Sequence, residues 1–74
     1  MTESLYSLKA KISLAGHAID RQSRGLRVWQ HGAWKAEWWG RDGRAIVSAS
    51  ATSREAALDA LLRGLAAVVA EVAA

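Results

Sequence analysis

Seventy-four residues, ten Lys+Arg against seven Asp+Glu, and no cysteine make a small, mildly basic chain of formal charge +3. A chain of that length holds one domain with a thin stability margin, and the missing cysteine excludes disulfide staples, thiolate metal ligands and a cysteine nucleophile together. The charge favours anionic partners without specifying one, and a reducing, cytoplasmic setting is the expectation.

The first residues, MTESLYSLK, carry Glu3 and no apolar run of the kind a secretory signal needs. The most apolar stretch, LAAVVA at 65–70, runs into Glu71 and is far short of the roughly 20 residues that span a bilayer. No membrane segment is expected.

In chain order, Tyr6, Leu8, Ala10, Ile12 and Leu14 alternate with Ser7, Lys9, Lys11 and Ser13. That period of two predicts a half-buried strand over 6–14. A helical stripe, Leu5, Leu8, Ile12, Ala15 and Ile19, competes with it, but Gly16 interrupts the helix and the β-branched Ile12 suits a strand. Residues 16–25, GHAIDRQSRG, read as a polar loop. Two short strands follow, GLRVWQ and AWKAEWW, joined by a tight turn at His31-Gly32. The GRDG at 40–43 contains Asp42-Gly43, the signal of a type I′ hairpin turn in which both residues take positive φ.

A third strand, RAIVSASA, leads to TSRE, where Thr52 and Glu55 have the spacing of a capping box. A helix is therefore predicted from Ser53, over 53–72. Its apolar stripe is Leu58, Leu61, Leu62, Leu65, Val68, Val69 and Val72, with Glu55, Asp59 and Arg63 opposite and Asp59 four residues before Arg63. Such a helix is about 30 Å long against about 20 Å for a six-residue strand, so its end should overhang the sheet. The overhang, with Ala66, Ala67, Ala70 and Ala73 on its outer side, either frays or packs on a second subunit as a homodimer.

Strand alternation sorts the side chains of the meander over 26–50. One face collects Leu26, Val28, Trp34, Ala36, Trp38, Ala45, Val47, Ala49 and Ala51, and the helix should cover it, the alanines leaving room for the indoles. The other collects Arg27, Trp29, His31, Lys35, Glu37, Trp39, Arg44, Ile46 and Ser48, with nothing left to cover it. Trp and Arg are over-represented at binding hot spots. A cross-strand tryptophan pair that only stabilises the sheet is the competing reading. The fold class expected is α+β, a three- or four-stranded antiparallel sheet with one long C-terminal helix packed on one face.

GLRVWQHGAWKAEWW, RDGR and SATSREAALDAL, within residues 25–61, resemble in order the three-strand-plus-helix DNA-binding domain of tyrosine-type phage integrases and plant ethylene-response-factor proteins. The resemblance covers about half of the chain. It implies that the open sheet face lies in the DNA major groove, with Arg27, Trp29, Lys35, Trp39 and Arg44 as contacts. Where those families carry several basic residues after the second turn, this chain has Arg44 followed by AIV; where they commonly carry an aromatic before the capping Thr, it has Ala51. In size and compactness the chain is also similar to small phage-encoded accessory proteins, anti-CRISPR proteins among them, which present one face to a large host complex.

His17 and His31 have no neighbouring ligand pattern, no nucleophile sits on a G-x-S-x-G elbow, and neither glycine cluster precedes a helix as a phosphate loop does. No metal, cofactor or catalysis is expected. The leading expectation is nucleic-acid binding, with Arg27, Lys35, Arg41 and Arg44 neutralising phosphates and Trp29 and Trp39 supplying apolar or stacking contact. The alternative is a phage-encoded inhibitor that occupies a host protein complex, in which Glu37 and Ile46 are ordinary interface residues.

Overall fold

The structure is a computed structural model that describes residues 5–73. Its elements run α1 (Leu5–Ile19), β1 (Gly25–His31), β2 (Ala33–Trp39), β3 (Ala45–Ala51) and α2 (Arg54–Ala73). The strands form one antiparallel sheet in the order β1-β2-β3, with both helices packed on it, an α+β architecture. None of the helices described is long and apolar enough to cross a membrane.

The N-terminal segment departs from expectation: residues 6–14 are helical, not a strand. Leu8 and Ile12 are buried, and Ala15 and Ile19 pack against the same core, so the spacing of three and four outweighed the spacing of two. Tyr6 and Leu14, which completed the alternation, are exposed on the outer side of α1. Gly16 does not break the helix, since an interior glycine costs only about 1 kcal/mol; a Cβ at that position would lie 2.0 Å from Cε2 of Trp38. The glycine lets the indole reach the helix backbone. The loop expected from residue 16 therefore shrinks to the segment between α1 and β1, where Gln22 N–H donates to Asp20 Oδ1 at 3.0 Å and Ser23 Oγ donates to the Asp20 carbonyl at 2.7 Å.

The β1-β2 hairpin turns at Gly32 (φ 72°) with His31 paired to Ala33. The β2-β3 connection corrects the type I′ expectation: Gly43 has positive φ (78°) and Asp42 does not. Gly43 N–H donates to the Gly40 carbonyl at 3.1 Å, and Gly40 N–H donates to the Arg44 carbonyl at 2.8 Å. Asp42 accepts from Arg44 N–H at 3.2 Å. This is a three-residue loop, a turn with one left-handed glycine that adds a residue before pairing resumes.

Pairing is irregular beyond that turn as well. Val47 faces Trp38 and Ala45 faces Trp39, so Ile46 is the extra residue of a bulge. Residues directly opposite in antiparallel strands share a face. Ala45, expected in the core, therefore joins the open face with Trp39 and is exposed.

Helix α2 is capped by Ser53, not Thr52: Ala56 N–H donates to Ser53 Oγ at 3.1 Å and Ala57 N–H to the Ser53 carbonyl at 3.0 Å. TSRE offers two hydroxyls in a row, and the one three residues before a helical amide takes the role. Ala57, Leu58, Leu61 and Leu65 point inward, and Gly64 brings α2 so close to β3 that a Cβ there would lie 2.7 Å from Val47 Cγ1. Arg63 and Asp59 form the expected ion pair. The core is completed by Leu8, Ile12, Ala36 and Trp38, the last 1 % exposed, with His17 standing edge-on to its indole at 5.1 Å between ring centroids. Trp34 is half-buried against this core, with the Arg54 guanidinium 5.8 Å from its ring centroid.

Candidate binding face of the sheet

The strand pairing of Leu26 with Trp38 and Val28 with Ala36 sets those side chains under the helices, and the interleaved residues project the other way. Trp29 and Trp39 thus lie on the face without helices, both half-buried, and Trp34 and Trp38 on the covered one, as the alternation predicts.

Register places Arg27 opposite Glu37 and Trp29 opposite Lys35. Trp39 is then diagonal to Arg27, within reach of a long side chain. The Arg27 guanidinium carbon sits 5.2 Å from the Trp29 ring centroid and 5.5 Å from that of Trp39. A cation between two indoles is held by both ring quadrupoles. The cross-strand tryptophan pair weighed from sequence is therefore a layer of three, with arginine in the middle.

Glu37 anchors this layer from the side. Its Oε1 accepts the Trp39 indole N–H at 2.9 Å and its Oε2 accepts the Ser48 hydroxyl at 3.1 Å. Glu37, an ordinary interface residue on the sequence alone, fixes the rotamer of one tryptophan. The signal was present: residues two apart on one strand share a face, and the turn at Gly32 dictates which residues oppose them.

Lys35 lies opposite Trp29 on this face and is half-buried, and Arg44, just before β3, is exposed. Arg41 does not join them. Its Nε donates to Asp20 Oδ2 at 2.9 Å and its Nη2 to Asp20 Oδ1 at 2.5 Å, a two-pronged pair that ties the β2-β3 loop to the loop after α1. The Arg41 guanidinium and the Gln22 amide hold the Asp20 carboxyl down at about 2, below its ordinary 3.8, while Asp20 raises Arg41 in turn. A guanidinium committed to a carboxylate is a weaker phosphate ligand than a free one.

Among the described residues no three His, Cys, Asp or Glu side chains converge as a metal site would need. The bare face therefore presents two indoles, a sandwiched arginine, a lysine and a carboxylate that is already engaged, with the exposed Arg44 at its margin, one residue out of phase with Ala45. No protein-family model, curated protein or solved structure matches the chain.

Proposed function

We propose that the protein is a cytoplasmic, non-enzymatic module that binds nucleic acid through the open sheet face. The observation that carries this reading is the Trp29–Arg27–Trp39 layer flanked by Lys35 on a face the helices leave bare. Arg27, Lys35 and Arg44 supply three cations for phosphates, and the indoles supply stacking or apolar surface for sugars and bases. Arg41 is left out of that set because Asp20 holds it.

The reading has a quantitative consequence. Three phosphate contacts on duplex DNA give a slope of about −2.7 in log affinity against log salt, or roughly 40-fold weaker binding between about 50 and 200 mM. Titration of a short labelled duplex across that range measures it. Lys35→Ala should reduce the slope by about one, whereas Arg41→Ala should leave it unchanged. Affinity that does not respond to salt overturns the proposal.

Glu37 and the exposed Ile46 favour a second reading, an anti-CRISPR-type inhibitor seated on a host protein. A carboxylate near the middle of the face repels phosphate, whereas in a protein interface it pairs with an arginine or lysine. A host complex that survives nuclease treatment and is lost in the Arg27→Ala, Trp39→Ala double variant would establish this second reading in place of the first.

A further inference from the structure

We infer that the outer edge of β3 is a self-association surface, through which a second copy of this chain extends the sheet across a twofold axis centred on Ser48. The inference is independent of what the open face binds.

β3 has a strand on one side only among the described residues. Alternate N–H and C=O groups along its other side are therefore without a sheet partner. Proteins that must stay monomeric blunt such edges with charges or proline, and β3, AIVSASA, has neither over its seven residues. Its one irregularity, the bulge at Ile46, lies near its start and leaves Val47–Ala51 in regular pairing with β2. The other edge differs: β1 carries a charged side chain, Arg27, next to its central residue Val28, the kind of residue that blunts an edge.

Self-pairing of β3 about Ser48 is consistent with the pleat. Val47 meets Ala49 of the second copy on the covered face, and Ser48 meets Ser48 on the open face, so each pair joins side chains of matching environment. No like charges meet.

The layer above points the same way. Gly64 seats α2 directly over Val47 of β3. At about 100° per residue, Glu71, Ala60, Ala67, Ala56 and Arg63 follow Gly64 in turn around the helix on the flank away from Leu58 and Leu62, which face the core. The flank of α2 above the open edge is thus small at its middle and charged at both margins, and Arg63 or Glu71 of one copy of α2 can meet the other sign on the second when two copies of β3 pair. Seven residues at about 3.3 Å each, under a molecule whose thin dimension is 19 Å, give a flank on the order of 400 Å². That is below the ~800 Å² per partner of a standard stable interface, so the association is concentration-dependent and of micromolar or weaker affinity.

Sedimentation equilibrium of the full chain from low micromolar to about 1 mM tests this, with a reversible monomer–dimer equilibrium expected. Ser48→Lys separates fold from assembly, since the lysine faces Glu37 within one copy and a like lysine across the axis; its dimer dissociation constant should rise about fivefold or more. Near-UV circular dichroism unchanged from the parent confirms that the variant is folded. Because the chain has no cysteine, Ser48→Cys provides a second readout: mild oxidation should cross-link it into a dimer, and the control Ala10→Cys on the outer side of α1 should not. A strict monomer throughout the range overturns the inference, even if the edge captures a foreign extended peptide. So does a dimer that Ser48→Lys leaves intact and Ala10→Cys cross-links as readily as Ser48→Cys.

Discussion

At the scale of single residues, two glycines set how near the helices come to the sheet, and they differ in what stands opposite. Replacing a helical glycine by alanine ordinarily stabilises a helix by about 1 kcal/mol. At Gly16 the new methyl would lie 2.0 Å from Cε2, with two further atoms of the Trp38 ring within 2.5 Å. A buried indole cannot slide away from three such contacts, and overpacking of that kind costs about 1–3 kcal/mol or more. Gly16→Ala should therefore lower stability by about 1–2 kcal/mol net. At Gly64 a single contact, to Val47 Cγ1 at 2.7 Å, meets a half-buried side chain on the edge strand that has room to turn. Gly64→Ala should cost less than Gly16→Ala, and urea unfolding followed by tryptophan fluorescence orders the two. Equal midpoints would mean that Trp38 does not rest on α1.

At the scale of elements, the residues that start and tie the helices are the ones sequence placed least well. TSRE advertised a cap, and the hydroxyl that serves is Ser53, one residue after the expected Thr52. Ser53→Ala should cost about 1 kcal/mol and Thr52→Ala a few tenths at most, a contrast that thermal melts of the two variants resolve. Helix α1 shows why one segment was misread. Its sequence satisfies both periods, and the deciding facts are nonlocal: the β1 side of the sheet needs cover that α2 does not provide, and Gly16 receives an indole from 22 residues further along. No local propensity encodes either. The Asp20–Arg41 pair is equally nonlocal, and it makes a prediction with a definite sign. Asp20 has its folded pKa depressed to about 2 from 3.8, so its contribution to stability is present above about 3.8 and lost as pH falls through about 2. The Arg41 side chain is 60 % exposed and that of Asp20 17 %, so solvent screens the pair from the arginine side and the contribution is modest. Comparing Asp20→Asn with the parent by urea unfolding, the stability gap should be constant above pH 5 and close between about pH 4 and 2. A gap that stays open at pH 2 would assign Asp20 a purely steric role.

At the scale of the whole molecule, the two faces of the sheet were legible because the pleat allows one arrangement. With Leu26, Val28, Ala36 and Trp38 required beneath the helices, Arg27, Trp29, Lys35 and Trp39 have to project outward. What the alternation did not carry was the bulge, which moves Ala45 to the open side, and the grouping of the exposed charges. Arg41 is withdrawn to Asp20, Arg27 is stacked, and Glu37 is bound to Trp39 and Ser48. Glu37 is for that reason the residue at which the two kinds of partner diverge. Glu37→Gln keeps an amide oxygen for the Trp39 indole N–H and nearly the same shape, so the face persists while one negative charge is removed. Phosphates arriving at Arg27 and Lys35 then meet less repulsion, and nucleic-acid affinity should rise by about two- to fivefold at low salt, the gain shrinking as salt screens it. A protein partner that docks a basic side chain on Glu37 should instead bind Glu37→Gln more weakly, by tenfold or more if the pair is desolvated, because its own charge is left unpaired. Parallel titrations of parent and variant, at two salt concentrations, distinguish these outcomes by sign alone. Duplex binding that weakens on removal of the carboxylate would mean that phosphates do not land on this face.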